Sequence, residues 1–198
     1  STSLIRALPL IREEIPDAEI YWAYGFKSGI NKGGMECHDM EEIRNWVENT
    51  KEDIRNTPGF YDLGRICHSN IVKLMKSSDI FAYGTCFPEI DCISMTKALS
   101  SGCIPIVSPV AALKEKIKYA EKFITQQCRR SPEGVKIDNF KIDYKIEEDL
   151  EFKSWVGSLI EQLKTNISET DRKTISQQVN KIYDWENIVN QWLQLMFL

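Results

Sequence analysis

The residues best suited to chemistry lie in one stretch, Gly84-Thr85-Cys86-Phe87-Pro88-Glu89-Ile90-Asp91-Cys92. It leaves a hydrophobic run and enters a segment of helical spacing whose first turn reads Cys92-Ile93-Ser94. The opening turn of a helix has N–H groups without intrahelical partners and carries the positive end of the helix dipole, so it is a ready anion site. Glu89, just ahead of that turn, cannot bind phosphate but accepts hydrogen bonds from hydroxyls. Phosphate donors beside a hydroxyl acceptor suit a sugar-phosphate ligand. The other reading is that Glu89 and Asp91 only cap the helix, as acids do near helix N-termini. Thr85 in the same loop serves either a ligand or the loop backbone.

The flanking chain must position this loop. Leu4–Ile15 has apolar residues at helical spacing and is stopped at Pro16-Asp17. Ala18–Tyr24 is rich in β-branched and aromatic residues and predicts a buried strand, followed by a polar, glycine-bearing loop over Lys27–Gly34. Asp39–Asn56 predicts a helix with Met40, Ile43, Trp46, Val47 and Ile54 on its apolar side, and Phe60–Ile66 a second strand. Ser69 is the expected cap of a helix over Asn70–Lys76 that buries Ile71, Leu74 and Met75. Then come a strand at Ile80–Tyr83, a helix at Asp91–Ser101 closed by Gly102, a strand at Ile104–Val107 and a helix over Pro109–Ile117. Alternating strands and helices with short connections predict an α/β fold, a parallel sheet with right-handed crossovers and helices on both faces. Ligands bind such a sheet outside the carboxyl ends of its strands, where the Gly84–Cys92 loop lies. Gln126–Tyr144 is polar and reads as one irregular strand and a long loop. Amphipathic helices over Glu147–Lys164, Ser168–Tyr183 and Trp185–Phe197 close the chain.

Bulk properties narrow the classes. The 198 residues, 42% hydrophobic, suffice for one domain with a sizeable core. A net charge of −4 with basic residues spread among acids gives no field for a nucleic acid. Six cysteines include no Cys-x-x-Cys pair, and only His38 and His68 could join them, so a metal site is not expected. Cysteines in apolar runs behave as small hydrophobes, and reduced thiols fit a cytoplasmic protein. No secretory signal or transmembrane segment is apparent. The chain opens on Ser1-Thr2-Ser3 without an initiator Met, which reads as an excised piece of something longer.

The run GRICHSNIVKLMKSSDIFAYGTCFPEIDCISMTKALSSGCIPIVSPVAALKE, Gly64–Glu115, resembles the C-terminal domain of retaining GT-B glycosyltransferases. The shared pattern is a strand ending in Gly64, the strand start Ser78-Asp79-Ile80-Phe81, the Pro88-Glu89 loop, and Ala98 through Gly102-Cys103-Ile104-Pro105-Ile106-Val107. The upstream LPLIREEIPDAEIYWAYG and the closing YDWENIVNQWLQLMF also resemble that domain, so the likeness covers nearly the whole chain; its specific part is Phe87–Val107. It implies a Rossmann-like parallel sheet with C-terminal helices, residues 1–198 forming one donor-binding domain. The implied activity is retaining transfer of a sugar from a nucleotide-diphospho-sugar, with no cofactor and no required metal. The implied partners are that donor and an N-terminal acceptor-binding domain of the same parent chain.

In that family two glutamates stand eight positions apart, the first on hydroxyls of the donor sugar and the second on the nucleotide ribose. Glu89 matches the first, which makes it the catalytic candidate. The second position is Lys97, which can donate to a ribose hydroxyl or phosphate but cannot accept as a carboxylate does; its alternative is a solvent-facing helix residue. The expected donor-binding set is Arg65, His68, Thr85, Ile90, Asp91, Cys92, Ile93, Ser94 and Lys97. His68 falls where the family's base-binding loop lies and would touch base or phosphate, against the alternative of a surface histidine; Arg65 would neutralise phosphate, against the alternative of an ordinary ion pair. Glu115 matches a helix start and reads as structural. Trp155, Trp185 and Trp192 read as core or domain-interface anchors. The family's diphosphate-binding Arg and Lys precede the first helix, and Arg6 is no substitute, so the chain alone is expected to bind donor weakly and catalyse nothing. The rivals are a non-catalytic binding or interaction module on this fold, an epimerase or glycan phosphorylase, and a flavodoxin-like receiver domain.

Overall fold

The computed structural model describes residues 2–23, 40–85, 87–125, 137–138, 141–142 and 150–197. The expected loop at Lys27–Gly34 lies outside them, as do Tyr24, Cys37, His38, Asp39, Cys86 and Cys128. The protein is α/β, with four of its described strands in two parallel pairs, and its contacts divide into two compact units, Ser1–Ile71 and Val72–Leu198.

In the first unit α1 (Thr2–Glu14) leads to β1 (Ile20–Ala23), α2 (Met40–Arg55) and β2 (Phe60–Gly64), and α3 (His68–Ser77) runs across the division. β1 and β2 pair in parallel from Ile20 opposite Phe60 to Ala23 opposite Gly64. The apolar stripe read in α1 becomes its core face: Ile5, Leu8 and Phe60 are buried together against Leu4, Ala18, Ile20, Trp22 and Ile54. The opposite face of the strand pair presents Tyr21 and Tyr61, stacked at 5.1 Å with both hydroxyls donating to Glu19.

Helix α3 departs from expectation in two respects. It begins at His68, so Cys67 takes the N-cap position and its carbonyl accepts from the N–H groups of Asn70 and Ile71. Ser69 therefore sits inside the first turn, and its hydroxyl meets the Cys67 thiol at 3.2 Å rather than capping the helix. Ile71, Leu74 and Met75 are only half-buried.

The second unit carries β3 (Ile80–Tyr83), α4 (Ile93–Ser100), β4 (Ile104–Val107) and α5 (Ala111–Ile117), then a two-residue antiparallel pair, β5 (Ile137–Asp138) and β6 (Lys141–Ile142). Helices α6 (Leu150–Lys164), α7 (Glu169–Tyr183) and α8 (Trp185–Met196) follow. β3 and β4 pair in parallel over Ile80–Tyr83 and Ile104–Val107, the two strands expected at those bounds. β4 is buried along its whole length, as a near-continuous apolar run in a parallel sheet should be. Met95 and Leu99 from α4, Ile104 and Ile106 from β4, Leu113 from α5, Trp155 from α6 and Ile175 and Val179 from α7 make the core. Trp155 is fully buried and its indole N–H donates to the Ile106 carbonyl at 3.4 Å. Gly102 ends α4 with φ 83°, the left-handed C′ position that glycine adopts without a Cβ clash.

Two tryptophans do not join this core: Trp185 and Trp192 on α8 are 71% and 60% exposed. No residue of α8 is buried, and its main contact among the described elements is with α7. Among the described residues no helix is long and apolar enough to cross a membrane.

Candidate functional site

The parallel pairing of β3 and β4 brings the loops that follow them together, since both leave the same end of the pair. Three hydrogen bonds lock this end. Ser108 N–H donates to the Tyr83 carbonyl at 3.1 Å, Thr85 N–H donates to the buried Ser108 hydroxyl at 2.9 Å, and Phe87 N–H donates to Thr85 Oγ1 at 3.0 Å. Thr85 thus serves the loop backbone as an acceptor.

Glu89 is half-buried where these loops meet. The Tyr83 hydroxyl donates to its Oε1 at 2.8 Å, and Ala112 N–H, in the first turn of α5, donates to its main-chain carbonyl at 3.2 Å. Backbone and carboxylate are therefore fixed from two different elements, while Oε2 has no hydrogen bond among the described residues. Burial raises the Tyr83 phenol to about 12, with the bond to Glu89 adding to the shift, so the phenol stays protonated and donating across the physiological range.

Helix α4 starts one residue later than its expected first turn. Cys92 is its N-cap and adopts the left-handed conformation, φ 56° and ψ 70°, without a side-chain cap hydrogen bond. Neither Glu89 nor Asp91 caps the helix, so the capping alternative does not hold: Glu89 is taken by Tyr83, and Asp91 pairs with Lys116. The N–H groups of Ile93 and Ser94 have no partner among the described residues. The left-handed region costs a non-glycine residue roughly 1–2 kcal/mol. Among the described residues the only other non-glycine residue with positive φ is Ala111, at 44°, the residue before Ala112. Both strained positions thus border Glu89, and such strain collects where surrounding structure over-determines a functional geometry.

Lys116 is the residue that sequence reasoning missed. It is 4% exposed, and its ammonium donates to Asp91 Oδ1 at 2.5 Å and to Thr96 Oγ1 at 2.6 Å. It also lies over the Tyr183 ring, 5.3 Å from the centroid. The signal was present: Ala112, Leu113 and Lys116 share one helical face, so the lysine occupies a core position. Tyr83 was missed because an aromatic strand residue is read first as core.

The remaining candidates fall as follows. Phe87, Ile90 and Ile93 are 62%, 98% and 63% exposed, an apolar rim about Glu89. Ser94 is exposed, and Lys97 is half-buried in α4. Arg65 and His68 are exposed residues of the first unit, His68 opening α3. Glu115 is exposed on α5. Among the described residues no group of three His, Cys, Asp or Glu could hold a metal ion. Cys92 and Cys103 are buried, whereas Cys67 is exposed with its thiol pushed below the usual range by the Ser69 hydroxyl and the Asn70 N–H.

No family model matches the chain, and no curated protein matches it either.

Proposed function

We propose that the second unit binds a nucleotide-diphospho-sugar as the donor-binding part of a retaining GT-B glycosyltransferase. The observation that carries this reading is the state of Glu89. One carboxylate oxygen is held by Tyr83 and the other has no partner among the described residues, in a loop pinned by α5, beside a helix N-terminus whose Ile93 and Ser94 N–H groups likewise have none among them. A fixed carboxylate with an open oxygen is an acceptor for sugar hydroxyls, and the uncapped turn is a donor set for phosphate. Leaving-group charge on the diphosphate would develop against the Ile93 and Ser94 N–H groups, the electrostatic stabilisation such a reaction needs. Glu89 would orient the sugar, with no metal required. The parallel β3–β4 pair and its flanking helices are consistent with a Rossmann-like sheet of the GT-B type. The exposed apolar face of α8 supports an acceptor-binding domain as its cover.

A second reading, a non-catalytic nucleotide-binding or interaction module on the same fold, is favoured by one residue. Lys97 is half-buried on α4 where the resemblance calls for a ribose-binding carboxylate. An amide chemical-shift map tests the donor site that the first reading requires. Addition of UDP-glucose, GDP-mannose or ADP-glucose should shift Phe87–Ser94 and the Tyr83 and Ala112 amides in a saturable way. The enzyme reading fails if none of the three shifts that segment.

A further inference from the structure

We infer that Lys116 is the positioning residue that holds the Glu89 loop in its sugar-accepting shape, an inference that rests on the donor-site reading above. An ammonium has three protons to donate, and here each has an acceptor: Asp91 Oδ1 at 2.5 Å, Thr96 Oγ1 at 2.6 Å and the Cys92 carbonyl at 3.5 Å. With its donors taken and its side chain 5% exposed, the lysine is not a phosphate ligand. Its partner Asp91 is 58% exposed, so the pair is not a buried ion pair that the fold needs for neutrality. A buried cation carries a desolvation cost, and an exposed partner offsets little of it, so the pair by itself is weak grounds for a stabilising role.

Geometry gives the lysine a positioning role instead. All three acceptors lie in Asp91–Thr96, the segment entered directly from Glu89-Ile90, and one of them is the carbonyl of Cys92, the residue in the left-handed conformation. The same helix holds Glu89 from the other side through Ala112 N–H. α5 therefore grips the loop before and after its bend. Releasing the Lys116 grip lets Cys92 relax toward ordinary backbone angles and swings the Glu89 carboxylate away from Tyr83.

The test uses the chain with Lys116→Met, which keeps length and removes the donors, alongside Glu89→Ala and the double variant. The first readout is sugar preference, the affinity for UDP-glucose, GDP-mannose or ADP-glucose relative to UDP, GDP or ADP. The second is the Cys92 one-bond Cα–Hα coupling, which distinguishes positive from negative φ. Lys116→Met should lose about tenfold in sugar preference, the scale of a hydrogen bond to a charged group. The double variant should be no worse than Glu89→Ala alone, because both changes remove one interaction. The Cys92 coupling should leave its left-handed value. If Lys116→Met does not fold, Asp91→Asn, at an exposed partner, should move both readouts in the same direction. Retained sugar preference together with a retained left-handed Cys92 overturns the inference. If the unaltered chain shows no sugar preference, the donor-site reading fails, and the Cys92 coupling alone decides whether Lys116 holds the loop.

Discussion

Glu89 was legible as a candidate because it precedes a helix start at a strand end and matches the first glutamate of the resemblance. What holds it was not legible. Tyr83 looks like one more apolar residue of β3, and only the fold reveals that its hydroxyl reaches Glu89 Oε1 at 2.8 Å. Removing that hydroxyl in Tyr83→Phe should cost about 1 kcal/mol in thermal or urea unfolding and should weaken any sugar-dependent binding. The same bond gives a pH dependence. Tyr83 is raised from 10.0 to about 12, so the folded state keeps its proton longer than the unfolded chain. That contribution is complete below the unfolded value of 10.0 and is lost as pH rises through about 12. Cys103, pushed from 9.0 to about 12 by burial, opens its window lower, at about 9. Melting temperature should therefore be flat with respect to these groups at neutral pH and decline above 9, more gently in Cys103→Ala and Tyr83→Phe. A decline of the same steepness in both variants would exclude these groups as its cause.

Elements with strong periodicity were read well. α1, α2, α6, α7 and α8 lie within a few residues of the stretches that predicted them, and β3 and β4 fall on their expected bounds. Caps were harder. Ser69 looked like an N-cap, but the backbone of Cys67 is already in place to accept, so α3 starts two residues earlier. At α4 the expected start failed for the opposite reason. Lys116 draws Asp91 aside and Cys92 turns left-handed, delaying the helix to Ile93. Neither event is visible in local sequence, because each depends on a partner outside the turn. The α4 end, in contrast, was legible because glycine alone fits there easily. Gly102→Ala would put a Cβ 2.9 Å from the Arg172 carbonyl oxygen in addition to the strain of φ 83°. It should destabilise by about 1–3 kcal/mol in urea unfolding, since backbone rather than a flexible side chain must move. Trp155→Ala, which empties a fully buried site between α6 and β4, should cost about 3–5 kcal/mol by the same measurement.

For the molecule as a whole, the alternation of strand and helix gave the α/β class. The single four-stranded sheet it implied is observed as two parallel pairs, β1 with β2 and β3 with β4. The C-terminal tryptophans show why apolar periodicity alone does not assign burial: Trp155 and Trp192 both sit on amphipathic helices, yet one is fully buried and the other 60% exposed. Deleting residues 185–198 should therefore change unfolding stability by less than about 1 kcal/mol, as expected for a helix that buries no residue, and should reduce self-association seen by light scattering. On the proposed reading, Glu89 accepts hydroxyls of a sugar whose diphosphate rests at the start of α4. Calorimetric titration of the chain and of Glu89→Ala with UDP, GDP and ADP, each beside its sugar-bearing counterpart, tests it most directly. The account predicts saturable binding of one nucleotide, tighter binding of its sugar derivative, and loss of only that difference in Glu89→Ala. Equal loss for nucleotide and nucleotide-sugar, or no binding of any of them, would contradict it.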